Sequence, residues 1–427
     1  MAIAGFLEKS PISGIKKRVL KNGITVFLEE LPERKKVVFL VGVGAGSRNE
    51  TAEISGISHL VEHIQFNSNR FRTKDEIVED VEDGGADIDA GTYFDSTIFS
   101  VLGYSRYLSK NIRILYEMIS NFEYKEEELQ REKQEVLTEI KKAIDSPDDH
   151  YLANLFYPLI LRKTPSERPI LGTPKTVKQH TADSQITFKK RFYLPDNMVI
   201  FVCGKFNEER VIRVLEKTFG RLKLNHFSPP EFKIDLTNRH REYFKKKKAL
   251  KLAYLALGYK VPGDNHPDSL KLMLLNSILS GGMSSRLWKR LRSEKGIGYD
   301  QLGSVHIDCG SFGIFYVKVG GFDHRRFKET KKIILEELED LKNNLVSKRE
   351  FLRAKNLLLS GNDDAMEDLK LRTEWLSDAY FTKSVFDSRN LKKYISKISR
   401  ESIRRVAQKY FSDKYTLAAL VPENFEI

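Results

Sequence analysis

Residues 37–50, VVFLVGVGAGSRNE, read as a strand, a glycine-containing polar loop and the approach to a helix. Residues 250–265, LKLAYLALGYKVPGDN, repeat that order. The first stretch leads into ISHLVEHI and the second into SLKLMLLNSIL, both helix-patterned. The same strand, loop and helix met once in each half predicts a duplicated α/β module. Other strand-like runs, GITVFLEE and NMVIFVCGKF, alternate with longer helical patterns. The expected fold is therefore α+β, with two homologous modules in one chain, each a mostly antiparallel sheet packed against helices. In NHFSPPEF, Asn225–Phe232, the pair Pro229-Pro230 continues neither a helix nor a central strand. It marks a linker at 225–232 between an N-terminal domain over 1–224 and a C-terminal domain over 233–427.

A chain of 427 residues with 41% hydrophobic content is long enough for two such cores and globular in composition. It contains no 18-residue apolar run, so no membrane helix is expected. The apolar stretch before Leu7 and Glu8 is too short for the core of a secretory signal. Cys203 and Cys309 alone provide neither a disulfide framework nor a thiolate metal site. A cytoplasmic address follows as the expectation. The net charge of +13 raises nucleic-acid binding, but most of the excess Lys and Arg is interleaved with acids, as in YKEEELQREKQEVLTEIKKAID. The one dense run, Lys245–Lys248, reads as the solvated entry to the apolar strand that follows, and no nucleic-acid partner is expected. GVGAGS, residues 42–47, lacks phosphate-cradle spacing and reads as a plain turn.

In ISHLVEHI, Ile57, Leu60, Val61 and Ile64 fall within about 100° of arc at helical periodicity, a stripe that packs inward. His59, Glu62 and His63 share the opposite side. Two imidazoles four residues apart lie one turn apart and can converge on a single ion, which zinc accepts through neutral ring nitrogens. Glu62 then sits beside the ion, placed to take a proton from a water that the metal has acidified toward a pKa of about 7. The plainer alternative is a polar helix face with no chemistry. A catalytic zinc site requires a third protein ligand. The helical segment 124–149 ends before Ser146-Pro147 and supplies candidates: Glu132 and Glu139 lie within about 20° of each other at the edge of its apolar arc. Glu128 and Glu135 lie nearby, so phase does not choose among the four.

Taken together, GAGSRNE…GISHLVEHIQF, GADIDAGTYFDST, REKQEVLTEI, YLPDNMVIFVCGKF and LSGGMSSRLWKRLRSEKGIGY resemble the pitrilysin/insulinase family of inverted-motif zinc peptidases. The likeness is to the short-chain branch that includes the mitochondrial processing peptidase and bacterial relatives, and runs from about Val19 to the C-terminus. The resemblance implies Glu139, 76 residues after His63, as the third zinc ligand, and Glu132 as the acid that orients the site. It implies one zinc per chain and Glu62 as general base. Arg292 and Tyr299 in RLRSEKGIGY would bind substrate and stabilise the oxyanion, and Asp89-Ala90 lie in the strand that aligns the substrate backbone. It further implies peptides or unfolded segments as substrates, enclosed in a chamber of four modules. Two such chains build that chamber as a homodimer, or one chain pairs with a paralogous partner.

Two departures from the family pattern stand out. After Phe66 the family usually has one residue and then Gly-Thr or Gly-Ser, where this chain has Asn67-Ser68-Asn69, and Asp89 replaces the common Asn before Ala90. The added carboxylate is expected to favour cationic peptides. Neither departure removes a ligand or the base, so an active zinc metalloendopeptidase is expected, with a non-proteolytic peptide-binding or partner subunit as the alternative.

Overall fold

A computed structural model describes residues 15–223, 227, 228, 230, 232, 235–298, 303–308 (backbone only) and 312–426. Tyr299, Cys309 and positions 225, 226, 229 and 231 of the expected linker lie outside the described residues.

Two sheets are built on one plan. The first holds β1 (Lys16–Val19), β2 (Thr25–Glu30), β3 (Lys36–Val43), β4 (Asp87–Thr92), β5 (Thr97–Tyr104) and β6 (Met198–Gly204) in the order β1-β2-β6-β3-β5-β4. The second holds β7 (Arg241–Lys247), β8 (Ala253–Val261), β9 (Gly303–Asp308), β10 (Gly313–Phe322) and β11 (Thr416–Pro422) in the order β7-β11-β8-β10-β9. Leaving β1 aside, the two orders superimpose, and in both the single parallel pair is the corresponding one, β2 with β6 and β7 with β11. The strands of VVFLVGVG and LKLAYLALGYKV are the equivalent β3 and β8. Each leads into a helix, α1 (Ile57–Ile64) and α3 (Ser269–Ser280), with α2 (Glu126–Asp145) between them.

Strand β3 is apolar on both faces because both faces are covered. Val37, Phe39, Val41 and Val43 point to a core shared with helices 108–119, 182–192 and 208–217. Val38 and Leu40 point the other way, into a core closed by Leu369, Leu376, Tyr380 and Phe381 of α4 (Leu369–Thr382), which belongs to the second half of the chain. The contact is close: a Cβ on Gly42 would lie 2.6 Å from the Phe381 ring, which explains a glycine in mid-strand. The second sheet receives the reciprocal cover. Tyr151, Leu155, Phe156 and Ile160 of the helical segment 147–160, which continues α2, pack on Ala256, Ile314, Tyr316, Ala418 and Leu420.

Polar contacts reinforce the exchange. Arg372 on α4 clasps Glu29 on β2 with two hydrogen bonds of 2.6 and 2.8 Å. The Tyr157 and Tyr316 hydroxyls lie 2.9 Å apart. Lys247 Nζ donates to Ile144 O at 3.1 Å, placing a cation at the C-terminal end of α2, where the helix dipole favours it.

The lysine run departs from its expected role. Lys245–Lys247 does not lead into β8 but forms part of β7, an edge strand of its own, followed by a turn. Lysines on an edge strand discourage pairing with other chains. Among the described residues no helix is long and apolar enough to cross a membrane.

Candidate metal centre

Helix α1 is eight residues long, too short to hold itself in water, and it is fixed from outside at both ends. At its start Gly56 takes φ +87° and sits against Gly172, where a Cβ would lie 2.7 Å from Leu171 O. The buried Glu50 carboxylate accepts the backbone N–H of Gly56 at 2.8 Å and of Ser58 at 2.9 Å, satisfying two donors that a helix leaves orphaned. Burial pushes this carboxyl up to about 7, against the two N–H bonds and the Arg168 charge. At its end Gln65 donates to Val61 O and accepts from Lys189, a lysine with no exposed surface. The apolar stripe divides as it buries. Ile57 and Val61 enter the core under the first sheet, while Leu60 and Ile64 pack on Leu129, Val136 and Ile140 of α2.

That docking of α2 selects among the four glutamates. Glu135 is exposed, and Glu128 is buried without hydrogen-bonding to either histidine. Glu139 Oε2 lies 3.6 Å from His59 Nε2, and Glu139 Oε1 lies 3.6 Å from His63 Nε2. All three donor atoms fall within 4.8 Å of one another. Two atoms each about 2.1 Å from one tetrahedral ion stand about 3.4 Å apart, so the set fits zinc in spacing as well as in chemistry. Burial, then the His63 charge, pushes His59 down to about 3, which keeps the imidazole neutral as a metal ligand must be.

Glu132 lies on the far side of His63, with Oε2 3.1 Å from Nδ1. This contact orients the ring and presents Nε2 toward Glu139. Burial raises the Glu132 carboxyl, but His63, Asn67 and Lys74 outweigh it and hold it down at about 2. His63 itself is raised: burial lowers it, yet the hydrogen bond to Glu132 and the charges of Glu139 and Glu62 prevail. Thr92 Oγ1 donates to Glu62 Oε2 at 3.0 Å. Burial raises the Glu62 carboxyl, helped by Glu139 and Asp89 and opposed by Thr92 and His63.

A cleft of about 640 Å³ opens from this cluster. Its floor is His59, Glu62, His63 and Glu139, Ala90 and Thr92 form one side, and Ile140, Ala143, Tyr157 and Pro169 give an apolar wall. Ala90, on β4, lines the cleft. Asp89, on the other face of β4, does not line the cleft; its carboxylate is 2.7 Å from Lys370 Nζ on α4. Arg292 is half-buried in the helical turn Trp288–Ser293 and is not among the residues lining the cleft. Its expected partner Tyr299 is outside the described residues.

The turn at Asn67-Ser68-Asn69 closes by side-chain bonds instead of glycine dihedrals. Asn69 Oδ1 accepts Phe71 N at 2.8 Å and Arg72 N at 3.0 Å, Ser68 Oγ accepts Lys74 N, and none of the three has a positive φ. Sequence reading missed Thr92, Glu50 and Asn67 as supports of the centre. Thr92 was within reach, because it stands two residues beyond Ala90 and so on the same face of the strand.

Comparisons with known proteins bear on the family and the fold. Residues 25–174 match the family described as Insulinase (Peptidase family M16), and residues 180–358 match the one described as Peptidase M16 inactive domain. The latter falls mainly on the half in which no second His–Glu cluster occurs among the described residues. A Rickettsia felis protein named an uncharacterized zinc protease is 30% identical over 417 residues, covering 95% of this chain and 97% of its own. A Bacillus subtilis protein, likewise named a zinc protease, is 29% identical over 423 residues, covering 96% and 98%. A protease from Helicobacter pylori has the same fold with a TM-score of 0.88 at 25% identity, covering 96% of this chain and 99% of that one. A peptidase M16 inactive domain from Pseudomonas fluorescens shares the fold with a TM-score of 0.87 at 18% identity. A His-His-Glu cluster on a duplicated sheet-and-helix scaffold, matched along both halves, identifies the chain as a zinc protease-like member of the insulinase family, peptidase family M16.

Proposed function

We propose that the chain is a zinc metalloendopeptidase that cleaves peptides or unfolded segments. The observation that carries this reading is the convergence of His59, His63 and Glu139 beside Glu62 at the floor of the cleft. His59 and His63 would hold one zinc per chain through Nε2, with Glu139 completing the set. When bound, zinc supplies Lewis acidity, polarising a peptide carbonyl and making water a competent nucleophile near neutral pH. Glu62, oriented by Thr92, accepts the proton of the attacking water and passes it to the departing amine. Glu132 holds the His63 ring in the tautomer that points Nε2 into the cleft.

Strand β4 ends its sheet, so its outer backbone groups are available to an extended peptide that would add as one more strand beside α1. The apolar wall of Ile140, Ala143 and Tyr157 suits an apolar substrate side chain next to the cleaved bond. By analogy with the family, Arg292, which does not line the cleft of its own chain, would serve, with Tyr299, the site of a second copy. The functional unit is then a homodimer with two sites enclosing a chamber, which admits substrates by size more than by sequence.

A quenched peptide series of increasing length, assayed with and without chelator, tests the reading. Chelator-sensitive cleavage that fades for folded proteins is expected. No hydrolysis by the zinc-loaded chain would favour the alternative, a peptide-binding or partner subunit. The trans arrangement predicts that mixing Glu62→Gln and Arg292→Ala dimers, each inactive, restores partial activity on subunit exchange; no recovery despite exchange would refute it.

A further inference from the structure

We propose that Asn67 is a positioning residue of the metal centre, acting on His63 through the carboxylate of Glu132. The inference rests on the reading of His59, His63 and Glu139 as the metal-binding set, and adds to it a residue from the turn that departs from the family pattern.

The geometry is a chain of contacts. Glu132 spends one oxygen on the His63 ring: Oε2 is 3.1 Å from Nδ1. What holds the other oxygen decides whether the carboxylate stays in that plane. Oε1 accepts from Asn67 Nδ2 at 2.8 Å and from Lys74 Nζ at 3.3 Å. These two donors are not equivalent. The Lys74 side chain is half exposed, so water competes for its charge and the bond constrains little. Asn67 has only 2% of its surface exposed, and the Glu132 side chain only 9%. A buried amide facing a buried carboxylate is a bond without solvent competition, and its loss leaves both groups short of a partner.

The orientation of the amide follows from the same neighbours. Nδ2 also lies 3.4 Å from His63 O, so both groups it faces are acceptors. A flipped amide would turn Oδ1 onto a carboxylate and a carbonyl, an arrangement of like partial charges; Oδ1 instead faces away, buried and without a bond. Asn67 thus touches His63 from both directions, at its backbone carbonyl and, through Glu132, at its ring. It stands two residues beyond Gln65, the C-cap of α1, so its amide reaches back both to the carbonyl of His63 in the last turn and, through Glu132, to that residue's ring.

The test is zinc affinity of the full chain, stripped of metal and titrated with zinc against a chromophoric chelator. The variants are Asn67→Ala, Asn67→Ser, Glu132→Ala and Asn67→Ala/Glu132→Ala. Outer groups that orient a ligand typically contribute about 10- to 100-fold in metal affinity, and Asn67→Ala is expected to weaken binding by about tenfold. Asn67→Ser keeps a short polar group near the His63 carbonyl but cannot reach Glu132. It is expected to weaken zinc binding similarly while the metal-free protein still unfolds in one cooperative transition, and it carries the test if the alanine variant folds poorly. In the Glu132→Ala background the Asn67→Ala change should add less than about twofold, because its route to the metal is already gone. Unchanged affinity in both Asn67 variants, or a full tenfold effect that persists without Glu132, would overturn the proposal while leaving the metal site in place. Wild-type protein that binds zinc no better than His63→Ala would overturn the metal reading and this proposal with it.

Discussion

The Glu29–Arg372 pair offers a quantitative test of how the two halves hold each other. Arg372 Nε and Nη2 meet the two Glu29 oxygens at 2.8 and 2.6 Å, the side chains are 17% and 14% exposed, and Nη1 is spent on Met366 O. Removing one partner of a fully buried ion pair costs about 3–5 kcal/mol, while an exposed pair contributes about 1 kcal/mol or less. With about one-sixth of each side chain exposed, Glu29→Gln should destabilise by about 2–4 kcal/mol, a sizeable part of the 5–15 kcal/mol typical of a folded domain. Replacing both, Glu29→Leu with Arg372→Met, removes the uncompensated charge and should fall within about 1 kcal/mol of wild type. Trp375 on α4 reports undocking by its fluorescence during urea titration.

Acid adds a signature. Burial raises the Glu29 carboxyl, but Arg372 outweighs it and the group lies below its ordinary 4.5. Its contribution is therefore present above pH 4.5 and is lost as pH falls through the lower, folded-state value. Glu29→Gln should flatten the stability profile below pH 4.5 and leave its slope above that unchanged. A shift of less than about 0.5 kcal/mol in Glu29→Gln, or a double variant as weak as the single one, would refute the view that this clasp docks α4 on the first sheet.

Three other outcomes follow. Gly172→Ala places a Cβ at φ +73° and 2.5 Å from Ser55 O, beside the start of α1; thermal unfolding should show a loss of about 2 kcal/mol or more, and a neutral result would contradict the close Gly56–Gly172 approach. Zinc at 100 times its dissociation constant should raise stability by about 2.7 kcal/mol over the chelated protein in calorimetry, and no shift would count against the His59–His63–Glu139 site. Asp89→Asn should change stability by less than about 1 kcal/mol and leave the rate ratio between cationic and neutral peptides within about twofold, since Asp89 pairs with Lys370 and does not line the cleft. A large fall in the ratio would restore Asp89 as a selector of cationic substrates.

Much of the centre could be read from local pattern. The stripe of Ile57, Leu60, Val61 and Ile64 fixed which side of α1 faces the cleft, and a seven-residue spacing put Glu132 and Glu139 on one edge of α2. Phase could not choose among four glutamates, because the choice depends on how α2 docks on α1, a tertiary fact. The exchange of cover between the halves was equally hidden. Apolar residues on both faces of β3 require two layers of partners, but nothing local says that one layer comes from α4, more than 300 residues away. Asp89 illustrates the same limit: its charge is visible in the sequence, its pairing with Lys370 is not. The departure in Asn67-Ser68-Asn69 is visible in the sequence, but that the Asn67 amide supports Glu132 is not.

The most direct test of the account is peptide hydrolysis by Glu62→Gln at full zinc occupancy. The ligands are untouched, so the variant should hold one zinc per chain with wild-type affinity while cleavage of a quenched peptide falls by about 10²- to 10⁴-fold, the usual contribution of a general base. Zinc-loaded Glu62→Gln that cleaves at the wild-type rate would contradict it.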